Sequence, residues 1–210
     1  MKMIHRRFFL LCLVCVAAAG WIGGMTGCIT AAANKNYYQL HIPLKEGCNI
    51  PKEYMHKIAW VQMPDVDDIY NDYRMVYRES PFRLNYYSYE FWIKKPDLML
   101  REEMVHYLKR QKAFANVIEE LTQGRPDLMV KTTVYALEEY DYKRYDAAHL
   151  KMSIEAADVK TGKRIVKHEF DRQTKLAQRK LKLLPPAISR MIEEELDVFI
   201  KKLEYELSTR

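Results

Sequence analysis

The spacing of apolar positions changes several times along this chain, and each change predicts an element. Phe8 to Met25 is one uninterrupted apolar run of 18 residues. Beyond it the period falls to two: Tyr38, Leu40 and Ile42 alternate with polar neighbours and Pro43 closes the run, predicting a strand. Residues 57–64, "KIAWVQMP", predict a second strand, again ended by proline. "YRMVYRES" from Tyr73 and "RLNYYSYEFW" from Arg83 predict a third and a fourth, and Ser80-Pro81 between them is a turn signal that makes the pair a hairpin. In the fourth strand Tyr87, Tyr89 and Phe91 share one face, while Tyr86, Ser88, Glu90 and Trp92 share the other. Both faces carry aromatics, so neither is plainly solvent.

The period then lengthens. Pro96-Asp97 opens a helix, because proline suits the first turn and an early acid complements the helix dipole. Leu100, Met104, Tyr107 and Leu108 form its apolar face, with His106 outside it. Alternation returns through Leu128, Val130, Thr132 and Val134, and again through Leu150, Met152, Ile154 and Ala156. Asp158 to Lys163 reads as a hairpin loop with Gly162 in its left-handed position, and "RIVKHEF" as the return strand. The basic stretch after Phe170 has no clear period and reads as a linker. After Pro185-Pro186, the residues Ile188, Ile192, Leu196, Phe199 and Leu203 predict a last amphipathic helix. Strands, helix, strands, helix is the order of one α+β domain: a mostly antiparallel or mixed sheet with two helices packed on one face.

The first apolar run follows Lys2, His5, Arg6 and Arg7 and ends in small residues, the layout of a secretory signal. It falls slightly short of the ~20 residues usual for a membrane span, and no cluster of Lys or Arg follows it. Its exit, Gly24-Met25-Thr26-Gly27-Cys28, resembles the bacterial lipobox, with Met25 standing where leucine is usual. That resemblance implies cleavage between Gly27 and Cys28 and a diacylglycerol and an N-acyl chain, palmitate among them, on Cys28. The expected organisation is a signal at 1–27, a tether at 28–36 and a domain at 37–210; an uncleaved anchor helix is the alternative.

Composition narrows the functional classes. The formal charge of +6 falls to +3 once the three leader cations Lys2, Arg6 and Arg7 are removed. No basic run with interleaved aromatics suggests a nucleic-acid groove. Cys12 and Cys15 fall in the leader and Cys48 is left as a lone thiol, so no intrachain disulfide is expected. The chain has no GxSxG, HExxH or phosphate-binding glycine loop. His41, His56, His106, His149 and His168 are scattered, without metal-ligand spacing. Glu138-Glu139 and Glu193-Glu194-Glu195 read as solvated faces. No catalytic residue, metal or cofactor beyond the Cys28 lipid is expected. The unusual feature is tyrosine, 15 in all and dense between Tyr70 and Tyr89. Tyrosine suits strands, and it also suits contact with protein or lipid. Tyr87, Tyr89 and Trp92 are the candidate partner surface.

The order "YYQL", "IAWVQMP", "RMVYRES", an aromatic strand ending in Trp92, a helix opened by Pro96 and then "KAFANVI" resembles the ABC-type transport auxiliary lipoproteins, the PqiC-like accessory family. Val76-Tyr77-Arg78, Trp92, Pro96, Leu108, Phe114 and Val117 carry most of the likeness. Ile93-Lys94-Lys95 departs from it, since the family places small and acidic residues there. The resemblance implies a non-enzymatic periplasmic component working with an MCE-domain protein and an ABC permease and ATPase that move lipid between inner and outer membranes. Ile29 rather than aspartate follows Cys28, which favours the outer membrane. A homo-oligomer is a further expected partner state. The rival readings are a stand-alone structural or assembly lipoprotein of the envelope and a lipid carrier with its own pocket.

Overall fold

Alternation and helical spacing become, in the computed structural model, a mixed sheet of nine strands and two helices over the described residues 34–43, 56–112, 114–142, 145–178 and 180–209. All four cysteines, the leader, the cleavage site Gly27–Cys28 and residues 28–33 of the 28–36 tether lie outside these residues.

The strands are β1 (Asn36–Tyr38), β2 (Ile58–Val61), β3 (Asp65–Val66), β4 (Arg74–Ser80), β5 (Arg83–Trp92), β6 (Asn116–Ile118), β7 (Leu128–Tyr142), β8 (Tyr145–Asp158) and β9 (Arg164–Lys175); the helices are α1 (Pro96–Gln111) and α2 (Leu184–Ser208). β7 is the spine. Along one side it pairs antiparallel with β8 from Leu128↔Asp158 to Tyr142↔Tyr145, and β8 pairs in turn with β9. Along its other side it takes three short strands in succession, all parallel: β2 (Val61↔Val130), β3 (Val66↔Val134) and β4 (Tyr77↔Glu139). β4 and β5 form the expected hairpin, β1 adds in parallel to the end of β5, and β6 adds in parallel to β2. The Asp158 loop is built as its residues suggest: Gly162 has φ +67°, and Asp158 accepts hydrogen bonds from the backbone and hydroxyl of Thr161.

Both helices bury the stripe that their spacing marks. Leu100, Met104 and Leu108 of α1 and Ile188, Ile192, Leu196, Phe199 and Leu203 of α2 are all buried. α1 lies against β2, β3 and β6, and α2 against β8 and β9. The Tyr107 hydroxyl of α1 donates to Asp197 of α2, so the helices stand side by side over the sheet.

Three expectations are corrected. Of the first predicted strand only Tyr37 and Tyr38 pair with a neighbour, within β1. Leu40 and Ile42 are buried all the same, because side chains hold their backbone: Ser189 accepts from the His41 N–H and Glu103 from the Ile42 N–H. The stretch after Phe170 is no linker as far as Lys175, since β9 runs on with Arg172 and Thr174 turned partly inward. Third, the acid runs are not solvated: Glu138, Glu139, Glu193 and Glu195 are all buried, for reasons that lie in their partners.

Candidate functional site

β5 carries the residues expected to meet a partner, and the structure separates them. Tyr89 is 50% exposed. Tyr87 is half-buried; its ring packs against Tyr77 at 4.6 Å and its hydroxyl donates to Glu139. Trp92 is 2% exposed and belongs to the hydrophobic core, so it is corrected from partner surface to core residue. Its phase explains this: it lies on the strand face opposite Tyr89 and immediately before the turn into α1. The exposed aromatic surface is instead completed by Tyr37, stacked on Phe91 at 5.8 Å, with the Lys35 ammonium 5.4 Å from the Phe91 ring. Phe82, at the tip of the β4–β5 hairpin, is 97% exposed.

Two buried ionic networks were not anticipated. In the first, Glu138 of β7, 1% exposed, accepts hydrogen bonds from Tyr70 (2.8 Å), from Arg78 Nε on β4 (2.6 Å) and from His149 Nδ1 on β8 (2.8 Å). His149 Nε2 reaches Asp171 of β9 at 2.9 Å, and Lys151 caps Asp171 at 3.2 Å. The chain of contacts thus crosses four strands. Burial alone would raise the Glu138 pKa, but the hydrogen bonds from His149, Arg78 and Tyr70 hold it below the ordinary carboxylate value. Burial alone would lower the pKa of His149, and its two carboxylate partners raise it instead. Tyr70 is pushed well above its ordinary value, first by burial and then by the adjacent Glu138 charge.

The second network joins sheet to helix. His168 Nε2 on β9 donates to Glu195 of α2 at 2.6 Å, and Lys202 donates to His168 Nδ1 at 2.9 Å. Arg172 bonds both Glu195 (2.9 Å) and Glu194 (2.7 Å). The signal for the second network was phase rather than residue type. Glu195 lies three residues after Ile192 on the α2 stripe, and His168 falls between Val166 and Phe170 on the inward face of β9; Glu138 follows a bulge between Val134 and Ala136 that turns it off the Leu128–Val134 face and sets it opposite His149. Charges in phase with a core must be paired to be buried.

Arg172 and Glu194 also wall a cleft of about 450 Å³ between the end of β9 and the first turns of α2, whose floor includes Leu176, Leu183 and Met191. A shallower hollow of about 320 Å³ shares Pro186 and Arg190 with it and reaches Gln39 and His41. Among the described residues no cluster of His, Cys, Asp or Glu is arranged to hold a metal ion, and no helix is long and apolar enough to cross a membrane. In the Glu138 network every carboxylate oxygen has a donor, which suits cross-linking of strands rather than proton transfer to a substrate.

No family model and no curated protein matches the sequence. Among solved structures, protein XCC0632 from Xanthomonas campestris, a DUF330 protein, superposes with a TM-score of 0.67 at 15% identity, covering 83% of this chain and 94% of that one. An uncharacterized protein superposes with a TM-score of 0.65 at 17% identity, covering 81% and 99%. The PelC dodecamer from Paraburkholderia phytofirmans is more distant, with a TM-score of 0.38 at 11% identity over 74% and 94%. At the identities of the first two, what this chain shares with them is the fold: one α+β domain built on a mixed sheet with two helices.

Proposed function

We propose that this chain is a lipid-anchored, non-enzymatic lipoprotein of the bacterial envelope, held at the outer membrane by acyl chains on Cys28 and facing the periplasm. Within that setting it serves as an accessory to an ABC transport system with an MCE-domain partner that carries lipid between the two membranes. One observation carries the reading: a fold in common with a DUF330 protein over most of the chain stands directly behind the lipobox-like Thr26-Gly27-Cys28. Confinement to a surface raises the effective concentration of the domain towards a partner there, so modest contacts through Tyr37, Tyr89 and Phe82 suffice for docking.

The test has two arms. Cys28→Ser should abolish acylation and leave an unprocessed precursor, its leader retained, that is lost from the outer-membrane fraction. A photo-crosslinker at Tyr89, which is exposed where Trp92 is not, should capture an MCE-domain or permease subunit from intact envelopes. Unchanged processing and sedimentation of Cys28→Ser would remove the anchor from the account. Crosslinks confined to unrelated envelope proteins would remove the transporter and leave a stand-alone lipoprotein.

A further inference from the structure

The cleft between β9 and α2 combines two kinds of surface. Its floor is apolar: Met191 is 1% and Leu176 6% exposed, with Leu183 beside them. Its rim carries three cations, Arg172, Lys175 and Arg190, and one acid, Glu194. Arg172 is committed to Glu194 and Glu195, whereas Lys175 and Arg190 have no ion pair among the described residues. The sequence that connects β9 to α2 adds Arg179, Lys180 and Lys182 and no acid. The volume of about 450 Å³ lies within the ~300–1,000 Å³ usual for small-ligand sites.

These features restrict the occupant. A free anion would satisfy the rim and leave the apolar floor wet. A neutral hydrocarbon would cover the floor and leave two cations facing it. A hydrocarbon chain that ends in a negative head meets both requirements, and clustered Lys and Arg beside apolar surface is the pattern that meets anionic lipid. Position agrees. The adjoining hollow is lined by Gln39, eleven residues after Cys28, and an extended chain spans at most ~3.6 Å per residue, so an anchor at Cys28 keeps it within about 40 Å of the bilayer.

We infer that this cleft binds one anionic phospholipid, its phosphate between Lys175 and Arg190 and the first part of an acyl chain over Leu176, Leu183 and Met191. The inference rests on the proposed membrane anchor for the source of the lipid, not for the chemistry of the cleft.

The experiment uses full-length processed protein in dodecyl maltoside, with native mass spectrometry and titration of phosphatidylglycerol, phosphatidylcholine and inorganic phosphate. One phosphatidylglycerol should bind per chain, at least tenfold tighter than phosphatidylcholine. The double variant Lys175→Glu/Arg190→Glu should lose at least tenfold in that affinity, and Ala187→Trp, which fills the cleft, should lose it without changing charge. Both are checked for an unchanged thermal midpoint, and the loss in either folded variant supports the site. Equal binding of both lipids, phosphate alone binding as tightly as the lipid, or affinity unchanged in the folded variants would overturn the inference. Cys28→Ser should lose its acyl chains and still bind phosphatidylglycerol. Failure to bind in a protein that is properly anchored sinks the cleft and spares the anchor.

Discussion

His149 and His168 occupy neighbouring strands, and their cross-strand partners lie five rungs apart on the β8–β9 ladder, yet their surroundings place hydrogen differently. His149 presents Nδ1 to Glu138 and Nε2 to Asp171. Carboxylates only accept, so both ring nitrogens carry hydrogen and the ring is an imidazolium. His168 presents Nε2 to Glu195 and Nδ1 to the Lys202 ammonium. An ammonium only donates, so Nδ1 is bare and the ring is the Nε2–H tautomer. The side chain is the same and both sit within packed strands; the charge of the second neighbour decides the state. The architecture differs in parallel. The Glu138 network ties β4, β7, β8 and β9 together within the sheet, while the Glu195 network fastens α2 onto β9 across the layers.

The largest expected effect is on the first network. Glu138 has no exposed side-chain surface, and removing it leaves the Arg78 guanidinium and the His149 imidazolium without their shared anion in a dry site. Glu138→Ala should cost about 3–5 kcal/mol in urea unfolding, the usual penalty for stranding a buried charge. A cost below about 1 kcal/mol would mean that the network is ornamental. Glu195→Ala should cost less, about 1–3 kcal/mol, because Arg172 keeps Glu194 as a partner and the site is partly open to water. If Glu195→Ala proves the more damaging of the two, the contrast between in-sheet and cross-layer networks is wrong as drawn.

Much of this architecture was legible because its signals are local. The β4–β5 hairpin, the Gly162 loop and the buried stripes of α1 and α2 each follow from residues a few positions apart. The parallel strands β2, β3 and β4 along β7 could not be read that way. They join residues about 60 to 70 positions apart, as Val61 does with Val130, and no turn chemistry announces them. β6 is three residues long, too short for a period to show. The site was misread for a different reason. Glu195 and Arg172 were judged by residue type as solvated or as linker, although each keeps step with apolar neighbours already counted as core; Glu138 lies beyond a bulge in β7 that no local pattern announces. Trp92 shows the same conflict in reverse: grouped with Tyr87 and Tyr89 for its chemistry, it belongs by strand phase to the opposite face, and the phase was right.

The smallest expected effect is the most specific to the comparison, because it separates protonation from packing. Tyr70, Arg78, Glu138, Tyr140 and Asp171 surround the His149 ring, with Lys151 behind Asp171. The folded pKa of His149 is raised above its ordinary 6.5, so the stability it contributes is fully present below that value and is lost as pH rises through the folded pKa. Glu138 and Asp171 work from the other side. Their folded pKa values are lowered from 4.5 and 3.8, so their contributions are present above those values and are lost as pH falls through the depressed ones. The stability difference between the wild type and His149→Asn should therefore hold a plateau from about pH 5 to 6.5 and shrink as pH rises further. Urea midpoints taken from pH 5 to pH 10 on both proteins measure it. A difference that stays flat over that range, or that grows with pH, would mean that His149 serves as a neutral hydrogen-bonding ring like His168, and the two networks would then be variations of one design.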